Sequence, residues 1–207
     1  MIYKFFRALF RILSSAWFDL KVYGKENVPK TGGVLLLSNH QSFLDPVALG
    51  VQLERELIFL ARSGLFTNPV FGWFIRKCNA FPVRQGEGDI GAVKETIRRL
   101  QEGHMLTVFP EGGRCEDGEL QPIQSGASLV VRKAQVPIVP VVIEGSFKAW
   151  PKHRKIWQRC PVRVLFGKPV VVHDMKAKEI TAFIDRQLHE LMAELRERIA
   201  REDHRVP

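Results

Sequence analysis

Six short apolar runs, at residues 34–38, 57–61, 80–83, 105–109, 138–143 and 162–166, recur along the chain with helical patterns between most of them. Runs of that length bounded by turn residues read as buried strands, and strands alternating with helices favour a parallel sheet covered on its faces. The clearest helix takes Asp89 as its N-cap, sets Ile90, Val93, Ile97 and Leu100 on one face, and stops at Gly103. Further helices read at 125–134 and at 177–201, the second carrying Ile180, Phe183, Ile184, Leu188, Leu191, Leu195 and Ile199 at helical spacing, for packing or for an interface. The fold expected is single-domain α/β: a mixed, mostly parallel sheet flanked by helices, with an amphipathic helix before it and a long helix after it. Val136-Pro137-Ile138-Val139-Pro140-Val141 departs from the other runs. Its prolines cannot donate to a ladder, so it reads as an edge or irregular strand that shapes a cleft.

Residues 2–20 place Ile2, Phe5, Phe6, Leu9, Phe10, Leu13, Ala16, Trp17 and Leu20 at steps of three and four, with Arg7 and Arg11 opposite or flanking them. Such a helix docks on the protein's own core or lies in a bilayer interface, and the two uses can coexist. Residues 1–21 are therefore set apart as an amphipathic membrane-interface helix and 22–207 as the main domain. The longest uncharged stretch, 31–44, falls short of the roughly 20 apolar residues of a spanning helix. Lys4, Arg7 and Arg11 interrupt the N-terminal apolar run and no small-residue cleavage site follows, so synthesis without export is expected.

Cys78, Cys115 and Cys160 are odd in number and far apart, which proposes neither a disulfide framework nor a metal site. The chain holds 31 basic and 22 acidic residues, a net charge of +9, and so expects an anionic partner, nucleic acid or membrane. Between Glu144 and Asp174 lie Lys148, Lys152, Arg154, Lys155, Arg159, Arg163 and Lys168 with no acid, interleaved with Trp150 and Trp157. That pattern suits a loop facing anionic headgroups. Residues 65–77 offer a second apolar surface, either core or a tunnel for an apolar chain.

Ser38-Asn39-His40-Gln41-Ser42-Phe43-Leu44-Asp45-Pro46 follows the first buried run directly. Five helical steps would turn Asp45 about 140° from His40, so the two meet only across a turn, with Asp45-Pro46 starting the next helix. Asp45 can then fix one imidazole nitrogen and leave the other to take a proton. Thr107-Val108-Phe109-Pro110-Glu111-Gly112-Gly113-Arg114 is a second run ending in a turn. Its glycines admit a ligand close to the backbone, and Arg114 suits phosphate. Phe81-Pro82-Val83-Arg84 places another arginine at the end of an apolar run.

These blocks and the proline-rich run, in this order and spacing, resemble the glycerolipid acyltransferase family that includes the 1-acyl-glycerol-3-phosphate (lysophosphatidate) acyltransferases, over residues 22–170. The H-x4-D block matches Asn39-His40 through Asp45, the arginine block 81–84, the F-P-E-G block 109–112 and the proline-rich block 136–141. The resemblance implies His40 as general base, Asp45 as its orienting partner, and Arg84, Glu111, Gly112 and Arg114 on the acceptor's phosphate and glycerol, with Asn39 and Arg62 as further substrate-binding residues. Arg62 stands where many relatives have lysine, and Gly113 and Cys115 replace the hydroxyl residues of the usual Gly-Thr-Arg-Ser continuation. No G-x-S-x-G elbow is present, so direct transfer is expected, without a metal or cofactor. The partners implied are acyl-CoA or acyl carrier protein as donor, a lysophospholipid acceptor and an anionic membrane surface on the cytoplasmic side, reached as a peripheral or monotopic protein, and no nucleic acid. Rival readings are another lysolipid acceptor, a hydrolase using the same pair, and a basic nucleic-acid-binding protein.

Overall fold

The computed structural model describes residues 2–83, 90–154 and 156–204. Strands are Lys21–Tyr23 (β1), Val34–Ser38 (β2), Leu57–Arg62 (β3), Ala80–Val83 (β4), Met105–Val108 (β5), Ile138–Glu144 (β6) and Arg163–Phe166 (β7). Helices are Ile2–Phe18 (α1), Asp45–Gly50 (α2), Pro69–Lys77 (α3), Ile90–Gln101 (α4), Ser125–Ala134 (α5), Ser146–Ala149 (α6) and Ala177–Asp203 (α7). The strands form one sheet in the order β1-β7-β6-β2-β5-β3-β4. All pairings are parallel except β6 with β7. This is the mostly parallel α/β sheet expected from the alternating runs.

The sheet is covered on both faces, which is why β2 is apolar throughout rather than alternating. Leu35 and Leu37 face a cluster that includes Leu100 of α4, Val130 of α5 and Leu188 of α7. Val34 and Leu36 face the other way, onto Ala48 and Leu49 of α2 with Phe10 and Phe18 of α1. The apolar stripe of α7 packs inward: Ile180, Ile184, Leu188 and Leu195 are all but fully buried. Each contributes roughly 1.5–3 kcal/mol by leaving water.

The proline-rich strand is not an edge. β6 lies between β2 and β7, with Leu37 opposite Pro140. Ile138 exchanges both backbone hydrogen bonds with Val170, and Pro140, two residues on and pointing the same way, accepts from Gly167 N at 2.8 Å. The missing N–H thus faces the flank where the ladder with β7 has ended, and β2 loses no bond. The short strand β1, which has no apolar run to announce it, exists by pairing with β7.

Helix α1 sits on the sheet and also presents an apolar outer surface. Tyr3 Oη accepts from Leu57 N at 3.1 Å, and Arg7 donates to the carbonyls of Leu53 and Glu54. Arg7 thereby faces the protein instead of flanking the outer surface. Phe6 and Phe10 meet Phe74 of α3 edge to face, whereas Phe5, Leu9, Ile12 and Trp17 are exposed. The segment 65–77 joins this surface: Phe74 is packed, while Val70, Phe71 and Trp73 point outward. Among the described residues no helix is long and apolar enough to cross a membrane.

The chain leaves β2 for β3 and β4, returns through β5, and then passes β2 to build β6 and β7. The carboxyl end of β2 is therefore where the winding reverses, the place where open α/β sheets hold ligands.

Candidate active site

His40 lies two residues past the end of β2, and Glu111 three residues past β5, its parallel neighbour. Between them and α2, residues 39–44 form a turn closed by one carboxylate. Asp45 Oδ2 accepts from Gln41 N at 2.6 Å, Ser42 N at 2.7 Å and His40 Nδ1 at 2.8 Å. The carboxylate reaches back over the turn rather than capping α2, whose N-cap residue Leu44 makes no side-chain cap. Asp45 is fully buried; these three bonds replace the water lost by Oδ2, while Oδ1 has no hydrogen-bond partner among the described residues. Because a carboxylate can only accept here, Nδ1 carries the proton and the lone pair is on Nε2. Among the described residues Nε2 has no hydrogen-bond partner, and the imidazole keeps 18% of its surface exposed.

The rest of His40 is held as firmly. Its ring stacks on Phe109 with centroids 3.9 Å apart and planes inclined by 15°. Its N–H donates to Glu111 Oε2 at 3.0 Å, and its carbonyl accepts from Cys115 N at 2.8 Å. Glu111 Oε1 accepts from Gln121 N at 3.3 Å. Burial pushes the Glu111 carboxyl up to about 7, against the pull of those two backbone donors; the charge of Asp45 adds to the rise.

Arg114 stacks its guanidinium on the Phe43 ring, 3.6 Å from the centroid. Its Nη1 is buried without a hydrogen-bond partner among the described residues. Burial, then the like charge of Arg62 at the end of β3, lowers the Arg114 pKa, while Asp45 acts to raise it. Arg62 itself is exposed. Gly112 turns the chain with φ of 75°, and a Cβ there would come within 3.0 Å of Gln124. Arg84 and Asp89 lie outside the described residues; Val83, before Arg84, pairs with Arg62.

Asn39 is not brought to the open side of the site. Its amide donates to Ile143 O at 3.0 Å and accepts from Ile143 N at 2.8 Å, in full burial. It straps the His40 turn to β6. Gln41 does the same toward α6, donating to Gly118 O at 2.6 Å and accepting from Ser146 Oγ at 3.2 Å. Ser42 Oγ donates to Trp150 O at 2.7 Å. The roles of Gln41, Phe43, Phe109 and Trp150 did not emerge from the sequence. Three of them lie inside the two blocks that did, and only Trp150 gave no signal beyond sitting in a basic stretch. Among the described residues, two hollows of about 330 and 370 Å³ lie away from His40, one including Arg76 and His104 and the other Phe147 and Arg196.

Residues 19–144 match the model of the family described as Acyltransferase. The 1-acyl-sn-glycerol-3-phosphate acyltransferase of Bacillus subtilis is 27% identical over 96% of this chain and 98% of its own length. A chloroplastic protein of the same activity by name, from Brassica napus, is 29% identical over 81% of this chain, which spans about half of it (52%). The crystal structure of the 1-acyl-sn-glycerophosphate (LPA) acyltransferase PlsC from Thermotoga maritima superimposes with a TM-score of 0.72 at 27% identity, covering 91% of this chain and 79% of that one. A buried-carboxylate histidine at the reversal point of the sheet and a family match running through that point agree: this chain belongs to the acyltransferase family.

Proposed function

We propose that the protein transfers a fatty acyl group from a thioester to the free hydroxyl of lysophosphatidate, giving phosphatidate, with His40 as general base. The observation that carries this reading is the His40 Nδ1 to Asp45 Oδ2 bond of 2.8 Å, with Nε2 free on the other side. Nε2 takes the hydroxyl proton while the oxygen attacks the thioester carbon, forming a tetrahedral oxyanion. Collapse of that intermediate breaks the C–S bond, and the departing sulfur receives the proton from the imidazolium, which Asp45 stabilises. No acyl-enzyme and no prosthetic group enter this scheme. Acyl-CoA and acyl carrier protein both supply the required thioester.

For the acceptor, the relatives' names and the orphan Nη1 of Arg114 point the same way. A buried guanidinium nitrogen without a partner beside a second cation, Arg62, suits a phosphate monoester, which can accept from both. Arg84 is assigned to the same phosphate, and Glu111 and Gly112 to the turn that flanks the glycerol. Lipid substrate and the exposed apolar residues of α1 and α3 together favour work at a membrane surface. Coenzyme A and carrier-protein thioesters are cytoplasmic, which puts the protein on that face, peripheral or monotopic, with α1 as its interface helix and 22–207 as the acyltransferase domain.

The test is incubation with labelled acyl-CoA and a panel of lysolipids and glycerol phosphate, with mass analysis of products. Phosphatidate from lysophosphatidate is expected, and folded His40→Ala is expected to lose about 10² to 10⁴ in rate. Retention of more than a few per cent of the rate by that variant removes His40 as the base. Free fatty acid as the main product would make the protein a hydrolase.

A further inference from the structure

Trp150 stands outside the residues assigned to chemistry, yet it touches both the catalytic turn and an exposed loop. Its carbonyl accepts from Ser42 Oγ at 2.7 Å, and its ring lies 5.5 Å from Phe43, the platform under Arg114. Its N–H donates to Ser146 O at 2.9 Å and its Nε1 to Arg154 O at 3.0 Å. Its other ring contact is Trp157, edge to face at 5.3 Å.

Residues 150–154 and 156–157 belong to the loop in question; Lys155, between them, lies outside the described residues. Gln158 closes it at the base, its N–H donating to Ala149 O at 2.8 Å and its amide to Lys148 O at 2.7 Å. At the tip, Ile156 is 78% and Trp157 49% exposed, between the cations Lys152, Arg154 and Arg159. Lys152 is paired with Glu116 at 3.1 Å, which leaves Arg154 and Arg159 as the cations beside the exposed pair; an exposed isoleucine and tryptophan next to arginines suit the boundary of an anionic bilayer, where the apolar pair enters and the cations meet headgroups. The far end of the same segment returns to α1, Val162 N donating to Phe18 O at 2.9 Å. The segment that follows the loop is thus tied to the C-terminal end of α1, the helix that exposes Phe5, Leu9, Ile12 and Trp17.

We propose that Trp150 is a positioning residue that couples seating of the 150–157 loop on an anionic bilayer to the order of the His40 turn and the Arg114 platform. Seating Trp157 fixes the far side of the Trp150 ring; the near side and the carbonyl then hold Phe43 and Ser42. Ser42 is two residues from His40, and its N–H is one of the three donors on Asp45 Oδ2. The lipid surface in this scheme raises turnover as well as delivering substrate. The inference rests on the acyl-transfer reading for its kinetic arm alone.

Three variants test it: the tip pair Ile156→Ala with Trp157→Ala, Trp150→Ala, and Trp150→Phe, which keeps both ring contacts and the carbonyl. Rates are measured on lysophosphatidate in phosphatidylcholine–phosphatidylglycerol vesicles, with all enzyme bound by sedimentation, and on short-chain monomeric lysophosphatidate. Amide exchange of Gln41 and Ser42 is followed with and without vesicles. In the wild type, vesicles are expected to raise kcat and slow exchange at both amides. The tip variant is expected to lose the slowing and about tenfold of the vesicle-to-monomer ratio of kcat, less than the roughly 10²-fold that a 1 Å misplacement of reacting groups costs. Trp150→Ala should lose it too, and Trp150→Phe should restore most of it. Tip variants that change only vesicle affinity, with kcat at full binding and exchange at Gln41 and Ser42 as in the wild type, overturn the coupling. Should the wild type acylate no lysolipid, the functional proposal fails while the exchange measurement still decides this one.

Discussion

Glu111→Gln separates what the buried Glu111 carboxyl does for folding from what it does for His40. The carboxyl is 7% exposed and pushed up to about 7 from an ordinary 4.5, burial being the first cause. Between those two values the folded protein keeps a proton that the unfolded chain has released. Stability contributed by the neutral acid is therefore complete below about pH 4.5 and is lost as pH rises through 7, at about 1.4 kcal/mol per unit and about 3 kcal/mol in all. Glutamine has no proton to lose. Its oxygen can serve His40 N, but its NH2 then faces Gln121 N, now at 3.3 Å from Oε1, at a cost of about 1 kcal/mol. The variant is thus expected to be less stable than wild type near pH 5 and more stable near pH 8. Urea unfolding of both proteins across that range reads the difference, in which other titrating groups cancel. A difference that stays flat, or moves toward the wild type as pH rises, refutes the assignment of a raised, buried carboxyl.

Two further substitutions follow from the same geometry. Asp45→Asn keeps an acceptor for Gln41 N and Ser42 N but removes the charge that stabilises the imidazolium, so near-native urea unfolding with a rate loss of about 10² or more is expected; Asp45→Ala strands both donors in burial and should also cost about 3 kcal/mol of stability. Gly145→Ala places a Cβ 2.1 Å from Pro161 O at φ of 90°, and thermal unfolding should show a loss of at least about 2 kcal/mol.

What the sequence disclosed was whatever rests on local periodicity. Runs buried on both faces, such as Leu35-Leu36-Leu37, announce a central parallel strand by themselves, and the stripe of α7 announces its packing. Strand order and edges depend on distant segments: Lys21–Tyr23 is a strand because Arg163–Phe166 lies beside it, and Pro140 is tolerated inside the sheet because its nitrogen faces the end of the β7 ladder. At the site, His40 and Asp45 were legible because only a turn between strand and helix can join them at that spacing. Asn39 shows the opposite case: its place beside His40 reads as that of a substrate ligand, and nothing local reveals that Ile143, 104 residues on, takes both ends of its amide.

The two buried acids at the site act on the same residue from opposite sides, and their mutual repulsion contributes to the raised Glu111 carboxyl. The fold tolerates this because the turn itself supplies the compensating donors: His40 N to Glu111, Gln41 N and Ser42 N to Asp45. One short segment thus provides both the imidazole and the N–H donors that its two buried carboxyl neighbours accept from. The imidazole is fixed by Asp45 at Nδ1 and by Phe109 across its face, while its backbone is held by Glu111 and Cys115. Little rotamer freedom is left to be lost when a hydroxyl arrives at Nε2, so orientation is set during folding and not during the reaction. Residues that share one segment in this way cannot contribute independently. Either single change, Asp45→Asn or Glu111→Gln, removes the whole of their mutual repulsion, and the combined change can remove it only once, so above about pH 7, where Glu111 is ionised, urea unfolding of the double variant is expected to show a larger stability loss than the sum of the single changes.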